Sequence, residues 1–128
     1  MPLTRDFRET VMARVRRDPA FRAGLYQEAV QAILDGELGT ARVLLRDFIN
    51  ATVGFAKLAR LIGVPDKSLM RMFGPNGNPR AGNLVTIVAA LKAECHLSLI
   101  VHAAPLPERA TRKPVRRRPA RAPEQIAA

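Results

Sequence analysis

A chain of 128 residues with 48% hydrophobic content suits one domain with a true core, and its single cysteine, Cys95, excludes an intrachain disulfide framework. Aromatic residues are only 5% and Trp is absent, so Leu, Ile, Val and Ala must build that core. The net charge of +10 is uneven: residues 1–53 carry eight basic groups against seven acids, residues 54–103 six against two, and residues 104–128 seven against two, which favours a polyanionic partner for the second half, nucleic acid before any other.

The chain opens on Arg5, Asp6, Arg8 and Glu9, charged where a secretory leader is apolar, so a cytoplasmic protein is expected. Leu3, Phe7, Val11 and Val15 stand four apart and predict one face of a first helix ending near Arg17. Asp18-Pro19 reads as an N-cap followed by proline at the first helical position. The second helix then carries Phe21, Leu25, Ala29 and Ile33 on one stripe, widened by Tyr26, Val30 and Leu34. Gly36 and Gly39 bracket a short turn. A third helix faces Leu38, Ala41, Leu45, Phe48 and Ile49 inward.

A fourth helix is predicted from Val53 to Ile62 and a fifth from Pro65 or Asp66 to Phe73, with Gly63 where a left-handed turn costs least. Gly74-Pro75-Asn76-Gly77 is a loop, and Asn78-Pro79 repeats the cap-plus-proline start. The sixth helix places Leu84, Ile87, Val88 and Leu91 at 0, 3, 4 and 7 spacing, and this apolar run ends at Lys92, short of the ~18 residues that span a bilayer. After Glu94, Cys95, Leu97, Leu99 and Val101 alternate with His96, Ser98, Ile100 and His102, a period of two that predicts a short strand over 95–103, with a seventh helix as the alternative. From Pro105 on, proline and arginine replace any periodic apolar face, and a disordered tail is expected.

Leu58 to Pro79 carries the functional reading. Two tightly crossed helices need a small residue at the crossing and a residue tolerant of positive φ in the turn; Ala59 and Gly63 supply them. Leu58, Ile62, Val64, Leu69 and Met72 are placed to anchor the hairpin, leaving Asp66, Lys67, Ser68 and Arg71 outside. In a helix-turn-helix the N-terminal half of the second helix meets base edges. Lys67, Ser68 and Arg71 are therefore the candidate base contacts, and Asp66 is either an acceptor toward cytosine or the helix cap. Lys57, Asn76, Asn78 and Arg80 are the candidate phosphate contacts, Asn78 having the rival role of capping the sixth helix.

These stretches resemble a family. "YQEAVQAILDGELGTARVLLRDFINATVGFAKLARLIGV", "KSLMRMFGPNGNP" and "LVTIVAALKAECHLSLIV" look like HigA-type addiction-module antitoxins, whose members carry an Xre-like, lambda-repressor-type helix-turn-helix; Gly77-Asn78-Pro79 is the most specific match. The resemblance implies a DNA-binding antitoxin that represses its own operon and neutralises a RelE-like ribonuclease toxin, with Lys67, Ser68 and Arg71 facing DNA. The chain departs from the family at Phe55, where polar phosphate-binding residues are usual, and at Pro65, where a Ser cap is common. A solitary Xre-type regulator, or an interaction module using the 95–103 strand, are the alternatives.

Other chemistry finds little support. On a strand, His96 and His102 lie about 20 Å apart at ~3.3 Å per residue, too far to share a metal ion. Cys95 reads as a small buried apolar residue. There is no acid pair, no Ser-His pairing and no phosphate loop with its Gly-Lys, so neither enzyme activity nor a cofactor or metal is expected. The expectation is thus an all-α, lambda-repressor-like helix-turn-helix domain over 37–103, N-terminal helices over 1–36 packed on it, and a disordered tail over 104–128. The partners expected are a double-stranded DNA operator, a second copy in a homodimer and a RelE-like toxin, with no membrane.

Overall fold

In the computed structural model, which describes residues 5–107, six helices follow one another and no strand occurs among the described residues. They are α1 (Arg5–Arg17), α2 (Pro19–Leu34), α3 (Leu38–Ala51), α4 (Phe55–Ile62), α5 (Asp66–Met72) and α6 (Ala81–Glu94). The described residues form an all-helical domain, as the periodicities up to Glu94 predict. Leu3 and the basic tail beyond residue 107 lie outside the described residues.

Each boundary has a local cause. Asp18 accepts the amides of Ala20 (3.1 Å) and Phe21 (3.2 Å), and Pro19 begins α2. Gly36, at φ 79°, ends α2 in a Schellman turn: the Glu37 amide returns to the Ala32 carbonyl and the Gly36 amide to that of Ile33. Gly39 lies within α3, so Gly36 makes the turn alone. Gly54, at φ 83°, separates α3 from α4 and moves the start of α4 from Val53 to Phe55. The sixth helix begins at Ala81 with Arg80 as N-cap, because Pro79 is buried ahead of it; Asn78 is exposed and does not cap it.

One continuous core draws on all six helices: Val15 from α1, Tyr26 and Ala29 from α2, Leu45, Phe48 and Ile49 from α3, Leu58 from α4, Leu69 from α5, and Leu84, Ile87 and Leu91 from α6. Each fully buried aliphatic side chain contributes ~1.5–3 kcal/mol of transfer free energy. The Tyr26 and Phe48 rings meet at 5.6 Å, tilted by 54°. The first helix is less embedded than its stripe predicts, since Phe7 is exposed while Val15 is fully buried.

The strand expected over 95–103 does not form, nor does a seventh helix. His96 adopts a left-handed conformation (φ 53°) and the Leu97 amide returns to the Lys92 carbonyl at 2.9 Å, closing α6 in a second Schellman turn. The turn throws the chain back along the domain, where Leu97 and Leu99 pack on the core while Ser98 and Ile100 face out. The alternation holds from Cys95 to Ile100 and fails at Val101, which is exposed like Ile100; no second extended segment lies beside it among the described residues, so no ladder can form.

Candidate nucleic-acid interface

Helices α4 and α5 are joined by Gly63-Val64-Pro65. Gly63 sits at φ 75°, and both its amide and that of Val64 return to the Ala59 carbonyl, at 2.8 and 3.1 Å. Ala59 and Leu58 are buried beneath the turn, Ile62 and Val64 half-buried, and Leu69 fully buried. The small residue, the turn glycine and the apolar side chains thus meet at the junction of α4 and α5. Phe55, a departure from the family pattern, packs its ring 5.9 Å from that of Phe73, which is fully buried just after α5. This aromatic pair ties the start of α4 to the end of α5.

On α5, Asp66, Lys67, Met70 and Arg71 are exposed and Ser68 is half-buried. Lys67 and Arg71 stand one turn apart and so share a face. Asp66 does not cap the helix: Pro65 is the N-cap, extended at φ −66° and ψ 142°, and no side chain bonds the first amides. The Asp66 carboxylate is left in the first turn, where its charge complements the helix dipole. Met70, 54% exposed, stands on the same outer face. Sequence reading passes over it because methionine at helical spacing suggests core.

The phosphate candidates divide. Asn76, Asn78 and Arg80 are exposed in the loop from α5 to α6. Lys57 is engaged: its Nζ lies 3.2 Å from Glu94 Oε1, joining α4 to the end of α6. This removes one cation and one anion from the local balance and leaves Arg60, Lys67, Arg71, Arg80 and Lys92 against Asp66 alone over residues 54–103, with no ion pair to any of them among the described residues.

Two further residues shape the loop. Gly77 approaches α5 so closely that a Cβ there would overlap the carbonyls of Met72 and Arg71. Its amide donates to the Gly74 carbonyl at 2.9 Å. Arg42 of α3, half-buried, donates from Nη1 to that same carbonyl at 2.6 Å. Nothing in the sequence around Arg42 signals this contact, 32 residues away.

Cys95 and His96 line a pocket beside the Lys57–Glu94 pair, which no α5 residue lines. Burial pushes the Cys95 thiol up, the Thr52 hydroxyl beside it opposing, so the thiol is protonated at neutral pH. Among the described residues no three His, Cys, Asp or Glu side chains gather as metal ligands, and no helix is long and apolar enough to cross a membrane. No protein-family model, no curated protein and no solved structure matches the chain.

Proposed function

We propose that the protein is a sequence-specific, double-stranded-DNA-binding repressor of the lambda-repressor-like class, with α4 and α5 as its helix-turn-helix and α5 as the recognition helix. The observation that carries this reading is the division of α5: Leu69 is fully buried, while Lys67 and Arg71 share an exposed face with no partner among the described residues. Lys67 and Arg71 suit guanine O6 and N7, Ser68 is less selective, and Met70 offers an apolar contact to a thymine methyl. Arg80, Asn76 and Asn78 serve the phosphates. One hairpin reads one half-site, so the active species is a homodimer.

The narrower proposal is that the repressor is a type II antitoxin that autoregulates its operon and neutralises a RelE-like ribonuclease toxin in the cytoplasm. It rests on the HigA-like stretches, above all Gly77-Asn78-Pro79. A neighbouring small basic reading frame whose toxicity this chain relieves would support it.

The test of DNA reading is a gel shift on the DNA upstream of the chain's own reading frame. The intact chain shifts it and discriminates against scrambled DNA, and Lys67→Ala and Arg71→Ala lose the shift while keeping the helical circular-dichroism spectrum. No shift at low salt, or unchanged binding by both variants, overturns the reading.

A further inference from the structure

Between α2 and α6 runs a groove of about 440 Å³ with a single charged residue, Lys92, in its lining. Leu34 of α2, Leu38 at the start of α3 and Val85 of α6 line it, and they are 60, 41 and 68% exposed. Leu99 lies at its edge, and there the chain turns out into solvent: Ile100, Val101 and Leu106 are 84, 67 and 65% exposed. Six of the ten large exposed apolar side chains among the described residues therefore belong either to this groove or to the arm that leaves it. Scattered single apolar residues need no explanation, but a contiguous set marks an unfilled contact.

We infer that the groove is filled by the 100–106 arm of a second copy, each copy lending its arm to the other. The arm leaves its own groove once Leu99 is seated, and no other described part of the chain covers Ile100, Val101 or Leu106. Residues 108–128 are a poor occupant, with seven basic groups and only Val115 and Ile126 as large apolar side chains, facing a groove whose one charge is Lys92. A reciprocal exchange removes both unfilled surfaces with one two-fold operation. Ile100 to Leu106 in extended form spans ~20 Å, enough to cross to a neighbouring groove. Pro105 and Pro107 hold the arm extended and reduce the ordering cost. Covering the six side chains in each copy removes on the order of 1,200 Å² in total, the lower edge of a stable specific interface.

The exchange supplies the second half-site reader of the proposed repressor, but its test reads mass and not DNA binding, so either can fail alone. The full chain is taken through sedimentation equilibrium with Ile100→Asp, which breaks the arm, and Val85→Asp, which breaks the groove. Both sites are exposed, so folding is not at risk, and circular dichroism checks it. The wild type is a dimer at about 100 µM, as a dissociation constant on the order of 1 µM gives; each variant raises that constant at least tenfold. An equimolar mixture of the two variants regains dimer, because the intact arm of Val85→Asp fits the intact groove of Ile100→Asp. A monomeric wild type means that the groove holds its own arm or awaits a different protein, and overturns the inference. So do variants that dimerise like the wild type, or a mixture that regains nothing.

Discussion

The Tyr26 hydroxyl donates a 2.8 Å hydrogen bond to the main-chain carbonyl of Val88, 62 residues away. It ties α2 to α6, so the N-terminal helices are fastened to the helix that follows the candidate recognition element. The ring is 1% exposed and packs at a tilt against Phe48, so position 26 contributes both packing and a polar tie. Tyr26→Phe keeps the packing and removes the donor; the expected loss is about 1 kcal/mol. Tyr26→Ala removes both and costs ~3–5 kcal/mol. Urea unfolding followed by circular dichroism measures both; a Tyr26→Phe as stable as the wild type would show that the tie carries no net stability.

Gly77 and Gly63 are needed for different reasons. Gly63 has a left-handed backbone and open space where a Cβ would stand, whereas Gly77 has the α5 carbonyls in that space. Gly63→Ala therefore costs about 1 kcal/mol of backbone strain. Gly77→Ala must move backbone and costs ~1–3 kcal/mol, the range for overpacking. In addition, Gly77→Ala displaces the loop that bears Asn76, Asn78 and Arg80, so it weakens DNA binding on the proposed reading more than its stability loss explains. Equal unfolding midpoints for wild type and Gly77→Ala would contradict the steric account.

Much of this fold is legible in the chain because its signals are local. Asp18-Pro19, Gly36 and Gly63 act on their own neighbours, and their positions are fixed by capping and by φ alone. What is not legible depends on distant partners. Lys57 looks free until α6 brings Glu94 to it; Leu34 and Leu38 look like core, yet no described helix covers them; Asn78 looks like a cap, yet α6 starts only at Ala81, with Arg80 as its N-cap. The period of two after Cys95 correctly separates Leu97 and Leu99 from Ser98 and Ile100. It cannot show that no second strand lies beside it among the described residues, since pairing depends on distant segments. On α5, the inward and outward residues follow from helical spacing, apart from Met70, whose residue type says core and whose place says surface.

His96 stands where helices commonly place glycine. Its φ of 53° costs a β-carbon-bearing residue ~1–2 kcal/mol, against a smaller entropic cost of glycine in the unfolded chain. His96→Gly should stabilise the protein by about 0.5–1 kcal/mol, read as a raised urea midpoint with unchanged m-value. A destabilised variant would mean that the imidazole makes a contribution beyond the turn.

Asp18 gives stability a defined acid limb. The Phe21 amide above all holds its carboxyl below the ordinary aspartate value; desolvation opposes it, and the Arg14 side chain and the Ala20 amide add to the lowering. Because the native value is lowered, this contribution is complete above the ordinary aspartate range and is lost as pH falls through the native value. Asn is also a good N-cap but does not titrate. Asp18→Asn should therefore match the wild type near neutral pH and lose less stability below the ordinary aspartate value. Thermal unfolding from pH 7 down to pH 2 tests this; parallel acid limbs for the two proteins would sink it.

Arg71 and Arg80 separate the two kinds of contact that the proposed repressor needs. Arg71, on the outer face of α5, is assigned to a base; Arg80, at the N-cap of α6, is assigned to a phosphate. A phosphate contact releases condensed counterions, so Arg80→Ala should weaken all DNA sequences alike and reduce the slope of log K against log salt by about 0.9. A base contact carries discrimination, so Arg71→Ala should cost ~1–3 kcal/mol on the operator, far less on unrelated DNA, and relax specificity at one base pair. Lys57, held by Glu94, should behave as neither: Lys57→Ala leaves affinity and salt slope close to those of the wild type. Fluorescence anisotropy across a salt series gives all three quantities. If Arg71→Ala weakens operator and scrambled DNA equally, α5 is touching backbone, and the recognition role must move to another face of the domain.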